Sequence, residues 1–156
     1  MPVRIPTRQR LTVVIVFILT VLALPAATKA KKTPSAPERT AVKSLIRAEA
    51  LRMGVPVSLA LAVAHTESYF NPRAVSSAGA RGGMQIMPAT SKGEYGIHPK
   101  LLWVPRVNIR IGLHFLKRLL KRYRGRAELA LSYYNGGSAV GDLPNARIIP
   151  ATAKYV

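Results

Sequence analysis

The sequence predicts an all-α domain, and three observations carry that reading. Apolar residues recur at helical spacing in successive segments, and Gly, Pro or Asn brackets each segment. No two neighbouring stretches alternate polar and apolar residues as paired strands would, which leaves room only for a small hairpin within residues 73–86. The chain has 156 residues, 49% of them apolar, enough to bury one core.

Taken in order, the first thirty residues read as an address rather than as fold. Arg4, Arg8 and Arg10 precede a 14-residue apolar run, Leu11 to Leu24, followed by Pro25-Ala26-Ala27-Thr28-Lys29-Ala30. A basic start, an apolar middle and small residues before a cleavage point make a Sec-type signal peptide, cut after Ala30, with Ala27 as the alternative, and directing the chain to the periplasm or outside. The competing reading is an uncleaved anchor, but the run is shorter than the roughly 20 residues of a membrane span. Residues 31–37 form a polar, Pro-containing leader, and residues 38–156 form the domain.

Within the domain, Val42, Leu45, Ile46, Glu49 and Met53 set a first helix from Glu38, with Gly54 as its stop. Pro56 opens a second, Val57 to Ser68, whose run Leu59-Ala60-Leu61-Ala62-Val63-Ala64 lacks a polar break and so predicts burial nearly all round. Residues 71–83, rich in Ser, Gly and Ala, predict a loop. A short helix follows over Pro88 to Lys92, then a Gly- and Pro-punctuated stretch to Pro105. Helix four spans Pro105 to Arg124 with the stripe Val107, Ile111, Phe115, Leu119 and Tyr123. Helix five spans Ala127 to Tyr134, and Pro150 starts a last helix that ends at Val156.

Composition narrows the function. The absence of cysteine excludes disulfides, thiolate metal sites and a cysteine nucleophile. Three His and six acids are too few for a dedicated metal cage, so neither metal nor cofactor is expected. The net charge is +18, and losing Arg4, Arg8, Arg10 and Lys29 with the signal segment leaves +14. That charge calls for a polyanionic neighbour. Nucleic acid is scarce outside the cytoplasm, and the aromatics are not interleaved with the basic residues as a stacking platform requires, so an acidic envelope polymer fits better. Basic pairs such as Lys117-Arg118 and Lys121-Arg122 also read simply as solvated helix faces.

Glu67 stands out because Ala60, Val63 and Ala64 share its helical face. An ionised carboxylate on an apolar surface is costly unless paired, and burial raises its pKa toward the range of a general acid. The carbonyl end of its helix pushes the same way. The competing reading is an ion pair with Arg73 or Arg81.

The surrounding blocks carry a resemblance. Glu67-Ser68-Tyr69-Phe70-Asn71-Pro72, Ala74-Val75-Ser76 and the loop Gly79-Ala80-Arg81-Gly82-Gly83 leading into Met84-Gln85-Ile86-Met87-Pro88 come first. Asn108-Ile109 with Gly112, then Ala130 to Gly137, then Pro150-Ala151-Thr152-Ala153-Lys154-Tyr155-Val156 follow in order. Together they resemble the soluble lytic transglycosylase family from about residue 42 to the end of the chain.

The resemblance implies a lysozyme-like helical fold and cleavage of the MurNAc–GlcNAc β-1,4 bond of peptidoglycan, leaving 1,6-anhydro-MurNAc ends. It makes Glu67 the catalytic acid/base and places Ser68, Ser76, Gly82, Gln85, Met87, Tyr134 and Asn135 around the substrate, with Gly79 and Gly82 letting the backbone approach closely. Met87 as core and Tyr134 as a packed aromatic with a satisfied hydroxyl are the competing readings. The other acids are Glu38, Glu49, Glu94, Glu128 and Asp142, of which only Glu94, read as a loop residue, competes as a second carboxylate. Such a shortage suits substrate-assisted chemistry. Gly83, Gly136 and Ala151 depart from the family pattern, Ala151 standing where relatives place a groove Glu. The small signal-bearing layout resembles forms that serve secretion or conjugation machines. A peptidoglycan-binding module without catalysis is the alternative.

Overall fold

A computed structural model describes residues 33–156; the signal segment, its cleavage point and the start of the leader lie outside the described residues. Among the described residues five α-helices occur: α1 Ala36–Met53, α2 Val57–Ser68, α3 Pro88–Tyr95, α4 Pro105–Arg122 and α5 Ala127–Gly136. Short 3-10 turns cover Pro99–Trp103, Gly137–Val140 and Pro150–Thr152.

Local chemistry sets these boundaries. Helix α1 starts two residues earlier than its apolar spacing implies, because Ser35 and Glu38 form a reciprocal capping box. It ends where Gly54 turns left-handed at φ 66°. Helix α3 runs past Lys92 to Tyr95, and the Ser91 hydroxyl donates to the Ile97 carbonyl at 2.8 Å to hold the exit. The last seven residues form a 3-10 turn over Pro150–Thr152 followed by a plain turn, in place of a further α-helix. The hairpin expected within residues 73–86 reduces to two isolated antiparallel bridges, Val75 with Arg81 and Arg81 with Ile86. Crowded glycines and turns leave no length for a ladder.

Helix α1 packs on α2 and α4, and α4 packs on α5. One core joins Ile46 and Ala50 of α1, Ala60, Val63 and Ala64 of α2, Met84 of the loop, and Ile109, Leu113 and Leu116 of α4. A second joins Leu119, Tyr123, Leu129, Ala130 and Val140, and Tyr134 packs against both. Helix α4 therefore buries a wider face than the single stripe Val107, Ile111, Phe115, Leu119 and Tyr123. Helix α2, by contrast, is not enclosed: Ser58, Ala62, His65 and Thr66 face solvent, because small alanines let an apolar run end at the surface.

The close α4–loop packing depends on Gly112. A Cβ there would lie 2.6 Å from the Met84 Cβ, at the root of a fully buried side chain that cannot swing away. The α1–α4 contact is tied by Glu49, 4% exposed and held by Arg110 through two bonds of 3.0 Å and by Arg52. Arg106 approaches the same carboxylate at 3.7 Å. Glu49 thus bridges helices near the end of α1.

Candidate active site

The site grows from the last turn of α2. After Glu67 and Ser68 the chain turns sharply, with Tyr69 at φ 52° and Phe70 at φ 61°. Two successive side-chain-bearing residues in the left-handed region cost on the order of 1–2 kcal/mol each. Ser68 holds the turn: its hydroxyl accepts from the Asn71 amide at 3.0 Å and donates to the Gly83 carbonyl at 2.8 Å. The strain keeps Glu67 at the very edge of its helix, beside the glycine loop.

That loop is fastened from several sides. Buried Asn108 accepts from the Met84 amide at 2.8 Å and donates to the Arg81 carbonyl at 2.7 Å. Gly82, at φ 76°, lies directly on the Asn108 amide group, which any Cβ would strike. Gln85, also left-handed at φ 46°, donates from its amide nitrogen to the Gly82 carbonyl at 2.8 Å and to the Ala74 carbonyl at 3.3 Å. Tyr134 of α5 donates to the Met84 carbonyl at 3.0 Å.

Glu67 itself is half-buried and its Oε1 accepts a hydrogen bond from the Tyr155 hydroxyl at 2.7 Å. Burial raises its pKa above the ordinary carboxylate value, and the Tyr155 bond opposes part of that rise. Tyr155, pushed up by its own burial and by the neighbouring carboxylate, stays protonated and remains a donor. Burial, followed by the charge of Glu67, raises Tyr134 far above the normal phenol range as well.

The ion pair with Arg73 or Arg81 does not form. Arg73 holds Glu38 at 2.6 Å, and Arg81 donates to the Pro99 carbonyl at 3.1 Å. The remaining acids are taken similarly: Glu49 by Arg110, Glu94 by Arg118 at 2.8 Å, Glu128 by Arg126 at 2.9 Å and Asp142 by Arg122 at 2.6 Å. Five of the six acids of this chain are therefore ion-paired, and Glu67, which is not, accepts from a neutral hydroxyl. Glu94 lies on α3, not in a loop, and its arginine accounts for it.

The other site residues fall into two groups. Ser68, Gly82, Gln85 and Tyr134 converge on the carbonyls and amides of residues 82–85, close to Glu67. Ser76 closes its own turn, its hydroxyl accepting from the Ala80 amide at 3.0 Å. Met87, 39% exposed, is not core; Met84 fills that role at 0%. Asn135 is exposed at the end of α5. The Tyr134 hydroxyl is satisfied by protein, as its competing reading expected. Tyr155 was not among the residues singled out from sequence. Its signal was present in the closing Thr152-Ala153-Lys154-Tyr155 block, which Thr152 docks on α5 through a 2.6 Å hydroxyl contact with Ser132.

The chain is similar to known proteins in sequence and in fold. The family model described as the transglycosylase SLT domain matches residues 44–143. Membrane-bound lytic murein transglycosylase C of Edwardsiella ictaluri is 38% identical over 109 residues, 60% of this chain and 30% of that protein. The Yersinia pestis protein of the same name matches to the same extent. The chain thus spans under a third of the length of these curated relatives. Among solved structures, an inactive mutant of lytic transglycosylase Slt from Pseudomonas aeruginosa superposes with a TM-score of 0.56 and 33% identity, over 62% of this chain and 17% of that one. The 70 kDa soluble lytic transglycosylase of Escherichia coli gives 0.55 and 31%, with the same coverage.

Proposed function

The chain belongs to the transglycosylase SLT domain family, and on that premise we propose that it is a peptidoglycan lytic transglycosylase in which Glu67 is the only catalytic carboxylate. The observation that carries the reading is the isolation of Glu67: half-buried, raised in pKa, and bonded to a neutral donor in a chain whose other acids all meet arginines. A group that must give a proton and then take one back needs such a poised affinity.

In the proposed reaction the protonated Glu67 gives its proton to the glycosidic oxygen as the bond from the MurNAc anomeric carbon breaks. The N-acetyl oxygen of the sugar supports the developing positive charge in place of a second carboxylate. The Glu67 carboxylate, steadied by Tyr155, next takes the proton of the MurNAc C6 hydroxyl while that oxygen bonds to the anomeric carbon. A 1,6-anhydro end results, no water is consumed, and Glu67 is again protonated. Gln85 and Tyr134 hold the loop against Glu67, while Ser76, Met87 and Asn135 are proposed to meet the sugars. The signal segment places the enzyme in the periplasm or outside the cell. Among the described residues no helix is long and apolar enough to cross a membrane.

Zymography on peptidoglycan tests the reading. Clearing by the wild type and not by Glu67→Gln supports it. Retention on the gel without clearing by either protein would make the chain a binding module instead.

A further inference from the structure

Between the glycine loop, α3 and the Pro99–Trp103 turn, the surface opens into a cleft of about 490 Å³ lined by Arg81, Lys92, Gly96, His98, Pro99 and Lys100. Its charged side chains are all cations. Arg81 is fixed in place by its bond to the Pro99 carbonyl and by lying 5.5 Å from the Trp103 ring centre. The His98 Nδ1 accepts from the Lys100 amide at 3.2 Å, which leaves the ring proton on Nε2 as a further donor. Lys92 and Lys100 have no ion pair among the described residues, since every acid but Glu67 is held by arginine elsewhere. The larger cleft of about 630 Å³ beside α4 differs: Glu94 lines it, and Asp142 holds its Arg122. There Glu94 and Asp142 offset Arg118 and Arg122 and leave Lys121, whereas the cleft at Arg81 has like charges gathered with no anion among them.

We propose that this cleft binds the carboxylates of the peptide stem carried by the substrate, an inference that rests on the peptidoglycan reading above. The sugars of the glycan are neutral, and the anions of the polymer sit on its stems. The cleft adjoins the proposed groove through residues next to one another on the loop and at the start of α3. Arg81 pairs its backbone with Ile86 at 2.9 and 3.0 Å, directly beside Gln85, and α3, which carries Lys92, begins immediately after Met87. A stem of four residues reaches about 13 Å when extended, enough to cross the loop from a MurNAc seated near Gln85 and Met87. Lys92 and Lys100 would then meet the stem carboxylates as point charges, with Arg81 offering a planar pair of donors. The cleft thereby selects for peptide-bearing strands over bare glycan.

Calorimetric titration with the free stem tetrapeptide L-Ala-γ-D-Glu-diaminopimelate-D-Ala, with inorganic phosphate in parallel, tests this directly. Wild type binds the peptide; Lys92→Ser/Lys100→Ser weakens it at least tenfold, and Lys92→Arg/Lys100→Arg retains it. Equal binding by the double serine variant overturns the proposal. So does phosphate binding tighter than the peptide, which would assign the cleft to a phosphate-bearing polymer. On glycan strands, the serine variant should raise KM at least fivefold for stem-bearing substrate and leave amidase-stripped strands unchanged; an equal change on both also overturns it. Peptide binding without cleavage of either strand would sink the enzyme reading alone.

Discussion

Tyr155→Phe separates two effects that act on Glu67 in opposite directions. The Tyr155 hydroxyl donates to Glu67 at 2.7 Å and so favours the ionised carboxylate. A hydrogen bond to a charged group is worth about 1.5–3 kcal/mol, and the low end applies because the Tyr155 ring is only half-buried. Removing about 1.4 kcal/mol from the ionised form is a tenfold change in the protonation equilibrium, or about one pH unit. Glu67 must be protonated to begin the reaction, so the alkaline limb of kcat/KM against pH should move up by about one unit in the variant. The assay is release of soluble muropeptides from sacculi across the pH range, with the thermal midpoint as control. Should the variant act by undocking the tail, water would reach Glu67 and the limb would move down instead. A limb that stays in place, or falls, refutes the idea that Tyr155 tunes this carboxylate.

Three further outcomes follow from other parts of the molecule. Asn108→Ala leaves the Met84 amide without its partner inside the core, while the Arg81 carbonyl keeps the Ile86 amide as donor; at about 1–3 kcal/mol for the orphaned amide, urea unfolding should show a loss of about 1–3 kcal/mol, and an unchanged midpoint would contradict the role given to this anchor. The Glu49 pKa is lowered, chiefly by its bonds to Arg110, so its contribution to stability is present above the ordinary carboxylate range and disappears as pH falls through the lowered value. Melting curves should therefore show Glu49→Gln less stable than wild type at neutral pH and converging with it in acid; a difference independent of pH would refute this. Ala151 is exposed on a turn docked by Thr152 and Tyr155, so Ala151→Glu should present a held carboxylate to substrate and raise turnover on sacculi several-fold, and an unchanged rate would remove this turn from the groove.

Much of the fold was legible because its signals are local. Gly54 closing α1, Pro56 preceding α2 and Pro105 opening α4 each act through backbone chemistry that one or two residues determine. The Pro99–Trp103 turn and the full length of α3 were not legible, since hydrogen bonds from Ser91 and packing of Leu102 decide them. Glu67 could be picked out from its apolar helical face. What the sequence could not show was its partner, because Tyr155 lies 88 residues away and reaches it only through the docking of Thr152 on Ser132. Glu49 illustrates the converse. Its carboxylate is more buried than that of Glu67, yet three arginines spaced along α1 and α4 make it structural.

The deciding property is what Glu67 does to the glycan. Sacculi digested in ¹⁸O-water by wild type and by Glu67→Gln, followed by mass spectrometry of the released muropeptides, measure this most directly. Wild type should yield ends lighter by one water than reducing ends and free of the heavy isotope, because the C6 oxygen closes the ring. Glu67→Gln should keep its fold and release at least 10² times less. Reducing ends carrying ¹⁸O, or release by Glu67→Gln within a few-fold of wild type, would contradict the central claim.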